Sequence, residues 1–261
     1  MKIKNSIVKL ILWLVVFVTL FSATCVTAFA AAPNPDPWAK AIDPNLNYLL
    51  IVNDDHPYDF TSAYDIFLQK DLVYAADIYG YATPIEKAAF LAFSQLQVAL
   101  KEKGMTIGLY SAYRTKDDQQ WVYDYYSNLP GWSETNKVVK PGYSEHHTGL
   151  LINVVILYPD ENGNEIWYTE TAERQQTIPF FKTLHENLAD YGFIDRYPAG
   201  KEKVTGVPCE PYEIRFVGTS QTAHEIMDHG LCLEEYVYGQ WTKNPALRGV
   251  SFFKLQLREV S

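Results

Sequence analysis

The stretch Pro141-Gly142-Tyr143-Ser144-Glu145-His146-His147-Thr148-Gly149-Leu150-Leu151-Ile152-Asn153 constrains this chain more than any other. It sets a polar turn with two histidines directly before an apolar run, Leu150 to Leu157, interrupted only by Asn153. Such a run reads as a buried strand, and a polar turn leading into it can hold reactive groups at a cleft. Burying one amide inside the strand costs a few kcal/mol unless it is hydrogen-bonded or coordinated. Asn153 is therefore expected to have a partner, from the protein or from a ligand.

The beginning of the chain reads as an export signal. Lys2, Lys4 and Lys9 precede an apolar segment from Leu10 to Phe21, and Ala28-Phe29-Ala30 is a small-residue cleavage pattern. Cleavage after Ala30 is expected, with an uncleaved anchor as the only route to a membrane. Residues 31–37 form a short Pro-rich linker, and residues 38–261 are expected to make one domain. Losing the three lysines moves the formal charge from −9 to −12, with 19 basic residues facing 31 acidic ones. No basic run stands out, so nucleic acid is not an expected partner. Cys209 and Cys232 remain after processing; in an exported chain they either pair or serve as two small buried apolar residues. Oligomeric state is not legible.

Further along, Tyr48 to Val52 reads as a strand ended by a turn holding His56, and Tyr58 to Tyr81 as irregular. Thr83-Pro84-Ile85-Glu86 has the form of a helix start with a capping box, for a helix running to about Lys103 and stopped by Gly104. Met105 to Tyr113 is expected as a strand, and Thr115-Lys116-Asp117-Asp118 opens a helix through Tyr126. Arg114 stands between them, its fork open either to a surface salt bridge or to a bound carboxylate. A helix from about Thr177 to Tyr191 carries His185 as an exposed residue. Strands follow at Phe193 to Tyr197 and Glu210 to Gly218, then a helix to Gly230. Alternation sets Glu213 and Arg215 on one strand face, where they could pair, and Tyr212, Ile214 and Phe216 on the other. His224 and His229 are five apart and do not make a paired site. Two carboxylates, a turn histidine and a buried amide are the raw material of a metal hydrolase.

Three blocks carry a resemblance. Ser111-Ala112-Tyr113-Arg114-Thr115 with Gln119, Pro141 to Asn153, and Tyr191 to Pro198 continuing through Glu210-Pro211-Tyr212-Glu213-Ile214-Arg215-Phe216-Val217-Gly218 resemble the VanY-type D-alanyl-D-alanine carboxypeptidases. These are metallopeptidases of the lysostaphin, D-Ala-D-Ala peptidase and hedgehog fold group. The resemblance implies an α+β fold with a small central antiparallel sheet and flanking helices. It implies that Arg114 and Ser144 bind substrate with Gln119 as helper, that Arg114 stabilises charge, that His146 is a metal ligand, and that Glu210 is the general base. The family's other two ligands are an aspartate and a histidine; this chain has Asn153 and Glu213 there, and Tyr212 replaces a tryptophan. An amide oxygen is a poor zinc ligand, and glutamate places its donor differently from histidine, so the set is oxygen-rich. Zinc by resemblance, a harder divalent ion, or no metal are the resulting expectations. His147 is a poor substitute ligand, because neighbouring side chains on extended backbone point apart.

Two readings of function follow. One is an exported, cell-wall-associated metallo-D,D-carboxypeptidase cutting the terminal D-Ala-D-Ala bond of peptidoglycan stem peptides. The other is a weakened or inactive relative that binds cell-wall peptide or a protein partner without cleavage. Retention of Glu210 favours the first, and Asn153 with Glu213 favours the second.

Overall fold

The computed structural model describes residues 36–129, 138–159, 163, 165–168 and 179–243. The expected leader and the last stretch of the chain lie outside the described residues, as does most of the loop read between Asn128 and Gly142. No described helix is long and apolar enough to cross a membrane.

A five-stranded antiparallel sheet organises the domain, built from β3 (Thr106–Ser111), β4 (Leu151–Pro159), β5 (Glu165–Tyr168), β6 (Phe193–Asp195) and β7 (Glu213–Phe216). β4 is its axis. One edge of β4 pairs with β3, and the other pairs first with β7 and then with β5. β6 completes the order beyond β7. The apolar run explains this position, since Leu151, Ile152, Val154, Val155 and Ile156 are all buried and only a central strand can bury both faces. Gly108 on β3 is required by packing: a Cβ there would come within 2.4 Å of the Ile78 side chain.

Helix α1 (Ala63–Asp71) leads into a separate hairpin of β1 (Leu72–Ala76) and β2 (Ala82–Glu86), which feeds α2 (Lys87–Glu102). Ala88, Ala89, Ala92, Phe93, Leu96 and Leu100 make the buried stripe of α2, packed on β3 within the main core. Helix α3 (Lys116–Ser127) follows β3; α4 (Pro179–Leu188) and α6 (Ser220–Met227) pack around β6, separated by the short α5 (Glu202–Thr205). Alternation along β6 sends Phe193 into the main core and Ile194 into a second cluster with Ile51, Ile226 and Leu233, the last from α7 (Leu233–Lys243).

The α+β expectation with a small antiparallel sheet holds, but three local readings are corrected. Residues 83–86 are strand β2, not the first turn of a helix; Glu86 is the actual N-cap of α2, its carboxylate accepting from Ala89 N at 2.7 Å. The segment 58–81, read as irregular, contains α1 and β1. Tyr48 to Val52 is not a strand: the carbonyls of Tyr48 and Leu50 accept from the Arg215 guanidinium at 3.1 and 3.0 Å instead of joining a ladder.

Candidate metal and peptide site

The site is assembled where β3, β4 and β7 run side by side. Register places Asn153 directly opposite Ser111 on one neighbour and Glu213 on the other. Opposed residues on an antiparallel pair emerge on the same face with their Cβ atoms about 5 Å apart. Asn153 and Glu213 therefore project together, and both are nearly buried.

His146 reaches this face from the 3-10 turn Glu145–Thr148, which precedes β4. Ser144 is the turn's N-cap, its Oγ accepting from His146 N at 3.3 Å, and Gly149 closes it at φ +70°, a left-handed conformation favouring glycine. His146 Nδ1 donates to the carbonyl of Ala112, which fixes the tautomer and turns the Nε2 lone pair outward. Burial, seconded by Arg114, holds the imidazole below its ordinary pKa, so it is a neutral nitrogen donor. Its Nε2 lies 3.6 Å from Glu213 Oε1. His146 Nε2 and Asn153 Oδ1 are both buried, and neither has a hydrogen-bond partner among the described residues. The protein side of the expectation for the Asn153 oxygen is thus unmet.

Two orphaned acceptors beside a carboxylate fit a divalent cation. The donors are one imidazole nitrogen, one amide oxygen and one carboxylate. Among the described residues no cluster of three or more His, Cys, Asp or Glu side chains forms a metal site, and at this place Asn153 contributes an amide where a carboxylate would complete one.

Glu210 and Glu213 are linked by a turn, Glu213 N donating to Glu210 O at 2.9 Å. Burial and the neighbouring Glu213 charge push the Glu210 carboxyl well above the usual carboxylate range. A carboxyl whose proton is held more tightly than usual is suited to general acid–base work.

Arg114 closes the other side. Its Nε donates to Ser111 Oγ at 3.0 Å and an Nη to Gln119 Oε1 at 3.1 Å; no described carboxylate forms a salt bridge with it. Among the described residues the surface-salt-bridge alternative thus has no partner. Its backbone N donates to His146 O at 3.1 Å, locking the arginine to the histidine turn. Burial lowers the guanidinium's pKa while Glu213 opposes the shift. Gln119 is buried and also donates to Val139 O at 2.8 Å, so it orients Arg114 and pins the loop before the histidine turn.

Other histidines have different roles. His147 points away from the site as expected: Nδ1 donates to Arg114 O at 2.8 Å and Nε2 accepts from Gly142 N at 3.0 Å, with burial pushing its pKa down to about 4. His185 is not exposed as read; its Nε2 donates to Pro211 O at 2.7 Å, bracing the segment after Glu210. His224 bonds Asp190 and Asp228 at the surface. Cys209 and Cys232 are not bridged; Cys232 is buried and Cys209 partly so.

The sequence reading missed a buried ionic network behind the site. Glu145 accepts a hydrogen bond from Arg215 at 2.8 Å and forms an ion pair with Arg196 at 2.7 Å, and Arg196 makes a two-pronged pair with Glu234 of α7 at 3.0 and 2.6 Å. All four side chains are essentially solvent-free. Arg215 thus pairs with Glu145 and not with Glu213. Burial alone would raise the Glu145 carboxyl, but the two guanidiniums hold it below the usual range. Arg196 and Arg215 each adjoin apolar residues of the third block, and an arginine in such a setting must be paired if buried. That was the available signal.

A small antiparallel sheet with its polar groups gathered along three adjacent strands is the architecture of the lysostaphin, D-Ala-D-Ala peptidase and hedgehog fold group, an α+β metallopeptidase class. Residues 83–219 match the VanY family model, described as D-alanyl-D-alanine carboxypeptidase, and the chain belongs to that family. It is 35% identical over 155 residues to YodJ of Bacillus subtilis, covering 58% of this chain and 53% of that protein. To a D-alanyl-D-alanine carboxypeptidase of Enterococcus faecalis it is 34% identical over 137 residues, covering 49% and 46%. The chain thus spans about half the length of these relatives. Among solved structures it resembles VanYB in complex with D-alanine-D-alanine, with TM-score 0.55, 27% identity, and 73% and 97% of the two chains covered. A VanY D,D-pentapeptidase in complex with Zn(II) matches with TM-score 0.54 and 28% identity over 73% and 98%.

Proposed function

We propose that this protein is an exported, metal-dependent carboxypeptidase that removes the terminal D-alanine from peptidoglycan stem peptides ending in D-Ala-D-Ala. Family membership and relatives named for that activity support the reaction class. The observation that carries the reading is the pair of acceptors, His146 Nε2 and Asn153 Oδ1, buried and without a hydrogen-bond partner among the described residues, with His146 Nε2 3.6 Å from the Glu213 carboxylate.

His146, Asn153 and Glu213 would hold the cation, zinc by family kinship or a harder divalent ion given the oxygen-rich set. Such an ion, when bound, supplies Lewis-acid polarisation of the scissile carbonyl. Arg114, oriented by Ser111 and Gln119, offers its remaining donors to the substrate's carboxylate and to charge developing during attack. Glu210 takes a proton from the attacking water and delivers it to the departing amine. Ser144, the N-cap of the histidine turn, holds that turn in place and is the further substrate-binding residue of this reading. Export rests on the leader read in residues 1–30, with the site working outside the cytoplasm in the cell wall.

The test is D-alanine release from a soluble pentapeptide, with metal content measured and zinc, manganese or cobalt added. Release is expected, and Glu210→Gln should lower it about 10²- to 10⁴-fold. No bound metal and no release with any of the three ions would overturn the enzyme reading. A secreted form beginning at Ala31 is the matching expectation for export.

A further inference from the structure

A run of aromatic rings leads away from the peptide site across the surface. On α3, Trp121 and Tyr125 are i,i+4 neighbours with rings stacked at 5.5 Å and 12°, and Tyr126 meets Tyr125 edge-on at 5.1 Å. Trp121 is 67% exposed, Tyr125 51% and Tyr126 41%. On the adjoining strand, Tyr110 meets Tyr79 at 6.1 Å, and Tyr79 is 64% exposed. Tyr110 is partly buried near the end of β3, four residues before Arg114.

Exposing four neighbouring rings, Trp121, Tyr125, Tyr126 and Tyr79, costs solvation that an isolated domain has no reason to bear. Nothing in the core uses the Trp121 and Tyr125 stack; it adds nothing to the buried stripe of the fold. Stacked aromatic faces recognise flat ligands, which are either nucleobases or the C–H faces of pyranose rings. Nucleobase platforms sit in cationic grooves that neutralise phosphate. Here α3 exposes Asp117, Asp118 and Asp124 against a single lysine, Lys116, on a chain of net charge −9. That field repels a polyanion and tolerates a neutral sugar.

We propose that Trp121, Tyr125 and Tyr126, continued by Tyr110 and Tyr79, form a binding platform for the glycan strand of peptidoglycan, a neutral polymer of N-acetylated pyranose rings. The proposal rests on the peptidoglycan reading of the site and extends it to the polymer. Position along the chain supports it: Arg114 stands between β3, which carries Tyr110, and α3, and a stem of five residues spans at most about 17 Å. A peptide held at Arg114 therefore brings its own glycan within reach of α3.

The probe is a soluble chito-oligosaccharide, a β-linked N-acetylglucosamine chain without any peptide, titrated calorimetrically into the full chain. The wild type should bind it, and the double variant Trp121→Ala with Tyr125→Ala should bind about tenfold more weakly or worse. Trp121→Phe, which keeps a ring, should restore much of the affinity when Tyr125 is intact. Both positions are exposed, so unchanged circular dichroism and melting verify the fold. No binding by the wild type, equal binding by the double variant, or preference for a polyanion such as teichoic acid or single-stranded DNA would overturn the platform. The readout needs no turnover: glycan binding without D-alanine release overturns the carboxypeptidase reading alone, and release without glycan binding overturns the platform alone.

Discussion

Replacing Glu145 by alanine should unfold a large part of this protein's stability margin. The residue is completely buried and sits one position before His146. Its two oxygens serve two guanidiniums, Arg196 at 2.7 Å and Arg215 at 2.8 Å, which are also fully buried. After Glu145→Ala, Arg196 keeps its two bonds to Glu234, so its charge stays compensated. Arg215 keeps only carbonyl oxygens, those of Tyr48, Leu50 and Phe216. An uncompensated buried charge of this kind costs about 3–5 kcal/mol. The whole domain is held by about 5–15 kcal/mol. Urea unfolding should therefore show the midpoint falling sharply at an unchanged slope. A companion change, Glu145→Gln, keeps the volume and removes the charge, and should report a smaller loss if the alanine variant does not fold. Because the folded-state pKa of Glu145 is depressed, its contribution is present above the ordinary carboxylate pKa and is lost as pH falls through the folded value. Acid should thus destabilise the wild type more steeply than Glu145→Gln. A loss below about 1 kcal/mol for Glu145→Ala, the size of an exposed pair, would refute the reasoning.

Glu86 should behave in the opposite sense. Burial pushes its carboxyl up from 4.5 to about 8, so the protonated form is favoured in the fold; its contribution is complete below 4.5 and is lost as pH rises through about 8. Unfolding titrations from pH 5 to 9 should show declining stability in the wild type and a flatter profile for Glu86→Gln; identical slopes would contradict this. At the metal positions, Asn153→Asp combined with Glu213→His should raise zinc affinity, read by competition with a chromogenic chelator. Unchanged affinity would mean that the three positions do not converge on one ion.

Much of the frame was legible in the chain because it rests on local chemistry. The helix expected to open at Thr115 does so, through a capping box in which Asp118 N donates to Thr115 Oγ1 at 3.1 Å and Asp118 Oδ2 accepts in return. The run from Leu150 is the central strand, and Asn153 within it is indeed a buried amide. The same capping pattern misled at Thr83-Pro84-Ile85-Glu86. There, pairing of Val73 with Ile85 across the hairpin wins, and Glu86 N donates to Gly149 O at 3.1 Å. A ladder partner ten or more residues away, and a carbonyl 63 positions further on, leave no trace in a local motif.

By itself the sequence determined the α+β class, the family, and the residue types at the positions proposed as ligands and base, including the two that depart from the family's pattern. Those follow from the resemblance carried by three motif blocks, whose residues stand in a fixed order and spacing along the chain. Tertiary structure alone decided that Asn153 stands level with Glu213, that His146 turns an unpartnered nitrogen toward them, and that Arg215 leaves Glu213 for Glu145. Strand register and the pairing of buried charges are set by contacts between segments distant in sequence, where desolvation makes the choice of partner a matter of several kcal/mol.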